Sequence, residues 1–152
     1  MPRLDTRQAV AYYLLKRVGR PVSRTEIVKM LFLVDLELAR KGYKPLFRWI
    51  RWYYGPFSRD ILDALDALEE QNLVDVERLI DLSTLEVRKI EYAVAKNIDV
   101  SSQLNPDIRL AVEKVAMEWR ESSLRDLLNY IYSLPEVRGK KLGEVIEIER
   151  QH

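Results

Sequence analysis

Apolar positions recur every three or four residues near the start of the chain, and this spacing predicts amphipathic helices. The first two predicted helices cover residues 5–19 and 23–42. Asp5 is a suitable N-cap for the first helix, and Ser23-Arg-Thr-Glu26 forms a capping box for the second. The second helix is apolar over most of its circumference, so we expect it to be central in the fold.

The run LFRWIRWYY at residues 46–54 is rich in aromatic and apolar residues and predicts a short strand. A turn through Gly55 and Pro56 follows, and Ser58 is then the predicted N-cap of a third helix over residues 58–71. One face of this helix is acidic, and we expect solvent to cover it. Its acidic residues are Asp60, Asp63, Asp66, Glu69 and Glu70.

Residues 73–79 and 85–94 predict a β-hairpin, with a bulge between Val87 and Ile90 in its second strand. Residues 95–104 read as a polar loop. The C-terminal part is helical by the same criteria. Its predicted helices begin at the cap residues Asn105 and Ser123, and a last short helix is predicted over residues 142–149.

The order of predicted elements over residues 1–94 is that of a winged helix, with the hairpin at about 73–94 as the wing. Residues 105–150 would add a C-terminal helical extension. We therefore predict one domain over residues 1–152. Its fold class is mostly α with a small β-hairpin (α+β), a winged-helix-like core followed by C-terminal helices.

Composition excludes much chemistry. The chain has no Cys, its one His is His152, and its five Gly form no phosphate-binding loop. We accordingly predict a protein that is not an enzyme, with no catalytic residues, no metal site and no cofactor. No apolar run is long enough to span a bilayer, and the N-terminus lacks the apolar region of a secretory signal, so we expect a cytoplasmic protein. The Cys-free, Lys/Arg/Glu-rich composition is thermophile-like.

The formal charge of +1 conceals an uneven distribution. Residues 1–54 contain 12 Lys and Arg against four acids, a charge of +8, which leaves −7 for residues 55–152. A basic segment can attract an anionic partner. The simpler interpretation is that the two parts pack on each other, within the chain or between the copies of a homodimer.

Two stretches match a known pattern: KMLFLVDLELARKGYKPL at residues 29–46, and WYYGPFSRDILDALDALEEQNLV at residues 52–74. They resemble the Panacea domain of SocA-type antitoxins, and the turn and LLNYIYSLPEV at 127–137 are similar to YwgA-like proteins. Leu38 stands where the Panacea pattern often has His, so no imidazole role carries over. The residues that match the pattern are Lys29, Asp35, Glu37, Tyr54, Gly55, Pro56 and Ser58.

The resemblance implies an antitoxin or adaptor that binds another protein, such as a toxin or the product of a neighbouring gene. We predict a protein-binding module that acts through a basic, aromatic N-terminal surface. The alternative is a winged-helix DNA-binding regulator, but the acidic third helix disfavours contact with phosphates. The hypothetical partner-binding residues are Lys29, Asp35, Glu37, Arg48, Trp49, Arg51, Trp52, Tyr54, Gly55, Pro56 and Ser58.

Some of these residues also have structural interpretations. Asp35 lies in the middle of an apolar helix, and if buried it needs Arg or backbone partners, of which Arg48 or Arg51 could reach it. It is either a polar anchor for a partner, or a structural ion pair or an exposed residue at the edge of the apolar stripe, and we favour the structural interpretation. The aromatic run at 46–54 could stack nucleobases, but such runs usually belong to a core. We expect it to be buried apart from one exposed aromatic edge.

Overall fold

The computed structural model describes residues 3–150. Five helices, six short strands and one 3₁₀ turn lie within this range. In chain order they are α1 (Thr6–Val18), β1 (Val22–Ser23), α2 (Arg24–Arg40), β2 (Trp49–Trp52), β3 (Gly55–Phe57), α3 (Arg59–Glu70), β4 (Val74–Ile80), β5 (Val87–Val94), the 3₁₀ turn (Ser101–Gln103), α4 (Pro106–Trp119), α5 (Leu124–Ser133) and β6 (Val145–Ile146).

The predicted caps define most of the helix ends. The side chains of Asp5 and Ser23 accept hydrogen bonds from the backbone three residues later, and both helices have complete capping boxes. Asn105 and Ser123 cap α4 and α5 in the same way. The starts of these four helices were therefore predictable, because each begins with a side chain that satisfies a free N–H group.

Helix α2 is central, as its composition predicts. Twelve of its 17 residues are buried, and it contacts α1, α4 and α5 as well as the strands β1, β3 and β5. One continuous cluster of buried apolar residues extends from Leu4 to Ile148 and includes residues of every helix. The side chains of α2 thus reach both the hairpin β2–β3 and the C-terminal helices.

Two antiparallel three-stranded sheets flank the helices, in the orders β1-β5-β4 and β3-β2-β6. The predicted wing corresponds to β4 and β5. Its predicted bulge is confirmed at Arg88, because Ile80 pairs with Val87 and Leu79 pairs with Lys89. The polar loop over 95–104 is confirmed apart from the 3₁₀ turn that it contains.

The helix predicted over residues 142–149 is wrong. Val145 and Ile146 form strand β6, which pairs with Ile50 and Trp49 of β2. So short a helix has little intrinsic stability, whereas the strand satisfies the edge of β2 and buries Ile146.

The fold class is confirmed: the protein is mostly α-helical, with small antiparallel sheets. The pairing of β1 with β5 is compatible with a winged-helix core, but the hairpin β2–β3 separates α2 from α3. The winged-helix assignment and the single domain over 1–152 stay predictions.

Candidate partner-binding site

Strands β2 and β3 form a tight hairpin between α2 and α3. Trp52 lies opposite Gly55, and the two residues between them, Tyr53 and Tyr54, make the turn. Gly55 has a φ of +101°, a backbone conformation that favours glycine. The predicted turn after residue 54 is therefore corrected, because Gly55–Phe57 continues as the return strand.

The end of this hairpin is the aromatic tip, which we define as Trp52, Tyr53 and Tyr54. Their exposed fractions are 41%, 65% and 64%. The Trp52 ring contacts Tyr53 edge-on at 5.0 Å between centroids and lies 6.5 Å from Phe57. The prediction of a core run with one exposed aromatic edge holds for Phe47 and Trp49, which are buried, and for the tip, but Arg48 is also exposed.

A cleft of about 190 Å³ lies between the aromatic tip and the first turns of α2. We call it the Lys29 cleft. Among the described residues that line it there is no Asp or Glu, and two are cationic. The lining residues are Arg24, Thr25, Val28, Lys29, Trp52, Tyr53, Tyr54 and Phe57.

Lys29 is buried, with 3% of its surface exposed. Its Nζ donates one hydrogen bond, to the carbonyl of Pro56 at 2.9 Å. Burial, with a smaller contribution from the nearby Arg51 guanidinium, lowers the pKa of Lys29 to about 8. Within residues 3–150, no carboxylate pairs with this amine.

Asp35 is also fully buried, but it has three donors. Its carboxylate accepts from the backbone N–H groups of Leu46 (2.8 Å) and Phe47 (3.1 Å) and from Trp49 Nε1 (2.8 Å). Burial raises its pKa to about 6, against the lowering effect of these donors. Of the partners that the sequence allows, the ion pair with Arg48 or Arg51 is wrong, and backbone N–H groups satisfy the carboxylate together with the Trp49 indole.

Arg48 pairs with Asp60. Its Nε and Nη2 atoms donate to the two carboxylate oxygens at 3.1 and 2.6 Å, and these bonds lower the pKa of Asp60. The prediction that Asp60 lies on a solvated acidic face is therefore wrong, since it is buried. Ser58 occupies the predicted N-cap position but makes no capping bond, and its buried hydroxyl lies 3.5 Å from Asp60 Oδ2.

Other predicted site residues lie apart from the cleft. Glu37 contacts Arg40 at 2.7 Å and Lys114 of α4 at 3.1 Å. The Arg51 guanidinium lies over the ring of Tyr132, 5.4 Å from its centroid. The structure thus brings only some of the predicted residues together at the cleft. These are Lys29, Trp52, Tyr54, Gly55 and Pro56.

Sequence reasoning missed several cleft residues. Thr25 precedes Lys29 by four positions, so the two share a helix face, and that spacing could have found it. Arg24 donates to the hydroxyl of Tyr92 at 2.9 and 2.7 Å, a contact without a local signal. Tyr53 and Phe57 were hidden because the hairpin was read as a single strand.

Part of the N-terminal positive charge is neutralised within the fold. Arg48 pairs with Asp60 of α3 at 2.6 Å, and Lys41 lies 3.5 Å from Asp107 of α4. The interpretation that the basic and acidic parts pack together thus explains some of the asymmetry. The cations at the Lys29 cleft are outside these pairs.

Over residues 3–150, no three potential metal ligands among His, Cys, Asp and Glu cluster together. In the same range, each helix is too short or too polar to cross a membrane.

Residues 27–136 match the family model described as antitoxin SocA-like, Panacea domain. This span covers most of the chain, including the Lys29 cleft, and the protein belongs to that family. The Panacea resemblance is thereby confirmed, whereas the similarity to YwgA-like proteins stays a prediction. Neither the curated proteins nor the solved structures include a match to the chain.

Proposed function

We propose that this protein is a non-enzymatic, antitoxin-like module that binds a partner protein through the aromatic tip and the Lys29 cleft. The observation that carries the proposal is the exposed group Trp52, Tyr53 and Tyr54 beside a cleft with cationic residues and no acid in its lining. Trp, Tyr and Arg are the residue types that dominate binding hot spots. Membership of an antitoxin-like family supports a toxin as the partner and a cytoplasmic site of action.

The hairpin is held in place before any partner binds. Strand β6 pairs with one side of β2, and the Lys29 amine bonds the carbonyl of Pro56 in β3. A surface that is already ordered loses less conformational entropy on association. The aromatic tip is therefore suited to binding a partner without a large change in its own conformation.

Binding to DNA is less well supported. Asp63, Asp66 and Glu70 are exposed on α3, where they would repel phosphates. On the wing, Arg88 is paired with Asp81 at 2.6 Å, and Arg78 lies 3.4 Å from Glu69. The arrangement opposes the usual docking of a winged helix on a duplex.

Co-purification tests the proposal. The tagged protein is expressed with the product of its neighbouring gene, and we compare wild type with a Trp52→Ala/Tyr53→Ala double variant. Met117→Ala on α4, which removes another exposed apolar side chain, is the matched control. We expect the tip variant to lose the partner and the control to retain it.

Equal recovery by the tip variant and the control would refute the tip as the binding surface. Light scattering at low and high salt then reports whether the same residues instead join two copies of the chain. Charge-driven self-association weakens as salt rises.

A further inference from the structure

We propose that the Lys29 cleft binds an acidic side chain of the partner, whose carboxylate pairs with the Lys29 amine while a neighbouring apolar side chain packs on the aromatic tip. The inference rests on the proposed function and specifies the chemistry of the partner segment. The proposed occupant of the cleft is a peptide segment with an acidic residue next to an apolar one.

The first observation is the incomplete bonding of the Lys29 amine. An ammonium group has three N–H donors, and here the Pro56 carbonyl at 2.9 Å is the acceptor provided within residues 3–150. Only 3% of the residue is exposed, and it lines the cleft, so the cleft is the side from which a further acceptor can approach it. A buried charge that lacks a counter-ion is costly, and a carboxylate in the cleft would remove that cost.

The second observation is the sign of the surrounding charge. The ionisable groups that line the cleft, lower the pKa of Lys29 or lie with it beside Gly55 are cations and phenols. They are Arg24 of α2, Arg51 of β2, Tyr53 and Tyr54 of the turn, and Tyr132 of α5. Such a set favours an anion, and it disfavours a cationic or neutral anchor by electrostatic complementarity.

The third observation concerns size and apolarity. About 190 Å³ is smaller than the clefts of about 300–1,000 Å³ that typically hold cofactors and drug-sized ligands. Val28, Trp52 and Phe57 provide an apolar wall beside the amine. The cleft therefore suits one or two side chains, an acid together with an apolar neighbour.

The ionisation of Lys29 gives the pairing a distinctive pH dependence. Burial lowers the pKa of the free amine to about 8. A bound carboxylate favours the charged form and raises that pKa, so binding takes up a proton. Affinity is then greatest below pH 8 and falls by about tenfold or more towards pH 9.5.

Blocked peptides test the inference directly. An array of acetylated, amidated hexapeptides varies an Asp or Glu and its apolar neighbour, and each member has an Asn or Gln counterpart. We expect selected acidic members to bind wild type at least tenfold more tightly than their amide counterparts. The same preference should disappear in Lys29→Met and persist in the matched control Lys96→Met, which changes an exposed lysine.

Three results would overturn the inference: no acidic peptide binds, acid and amide bind alike, or Lys29→Met binds like wild type. The comparison of acid with amide uses the wild-type protein and does not depend on how a variant folds. If the co-purified partner needs the aromatic tip but not Lys29, the inference fails and the proposed function stands. If it needs neither, the proposed function fails as well.

Discussion

Asp35 and Lys29 are buried charged residues on the same helix, six positions apart, yet their surroundings differ. The Asp35 carboxylate receives three N–H donors from residues 46–49, whereas the Lys29 amine finds one carbonyl. Asp35 lies within the core, while Lys29 lines a cleft at the surface.

Asp35 is therefore a charge that stabilises the fold, whereas Lys29 is a charge that is suited to binding a partner. The donors of Asp35 hold the chain where it leaves the loop after α2 and enters β2, which explains why a carboxylate is tolerated there. Around Lys29 the fold supplies no equivalent acid among the cleft residues. We infer that the missing interaction is made by a partner.

The largest expected effect on stability is that of Asp35→Ala. It leaves two backbone N–H groups and the Trp49 indole without their acceptor, so we expect a loss of about 4 kcal/mol in the free energy of unfolding. Urea titration measures it. Asp63→Ala on the exposed face of α3 is the control, with a change below about 0.5 kcal/mol. Similar losses for the two variants would contradict the architectural role of Asp35.

Lys29→Met should instead increase the free energy of unfolding. The difference between the ordinary pKa of 10.5 and about 8 in the fold corresponds to a penalty of about 3 kcal/mol when the amine is charged. Loss of the bond to Pro56 offsets part of this, so we expect a gain of about 2 kcal/mol at pH 7.

The pH dependence of that gain follows from linkage. The unfolded chain holds the Lys29 proton up to about pH 10.5, and the folded chain releases it near pH 8. The penalty is complete below pH 8 and disappears as pH rises to about 10.5, so wild type and variant should converge. Urea titrations at pH 7, 8.5 and 10 measure this, and a Lys29→Met protein less stable than wild type at pH 7 would refute it.

Gly55→Val should cost more than about 1 kcal/mol, because a β-branched residue is strained at a φ of +101°. An added Cβ would meet Lys29 Cε and Tyr132 Cε1 at an ordinary 3.5 Å, so the backbone is the cause. Gly55→Ala separates backbone strain from steric contact, since it changes the preferred φ while adding only a methyl group. Unchanged thermal melting in both variants would show that the hairpin tolerates other residues here.

The smallest expected effect on stability is that of Trp52→Ala/Tyr53→Ala. Tyr53 is 65% exposed but Trp52 only 41%, so the loss is mainly that of Trp52 packing on Phe57, and we expect a change of about 1 kcal/mol with loss of partner binding. Thermal melting and co-purification of the same sample measure the two quantities. A large drop in melting temperature would assign the aromatic tip to folding.

How far the sequence predicts the fold depends on the length of each signal. The N-cap Asp5, the capping box at Ser23 and the two strand-like runs of the hairpin located those elements correctly. Strands β1, β3 and β6 were not predicted from the sequence. Each has only two or three residues, which is too short to show a periodicity, and their pairing partners lie elsewhere in the chain.

The candidate site was only partly predictable for a related reason. Gly55 and Pro56 indicate that the chain reverses nearby, although the turn itself is Tyr53–Tyr54, and Lys29 lies in a matching motif. The burial of Lys29, however, results from packing of the hairpin on α2, and the donors to Asp35 are mostly backbone groups with no residue signature. The pairing of Asp60 with Arg48 likewise needed the tertiary structure.

The pKa of Lys29 tests the central claim most directly. Nuclear magnetic resonance of the lysine Cε–Hε groups, assigned with Lys29→Met, follows its titration in the free protein and with an acidic peptide from the array. We predict a pKa of about 8 in the free protein and a clear rise when the peptide is bound, because a carboxylate favours the charged amine. An ordinary lysine pKa in the free protein, or the same value with and without the peptide, would contradict the account.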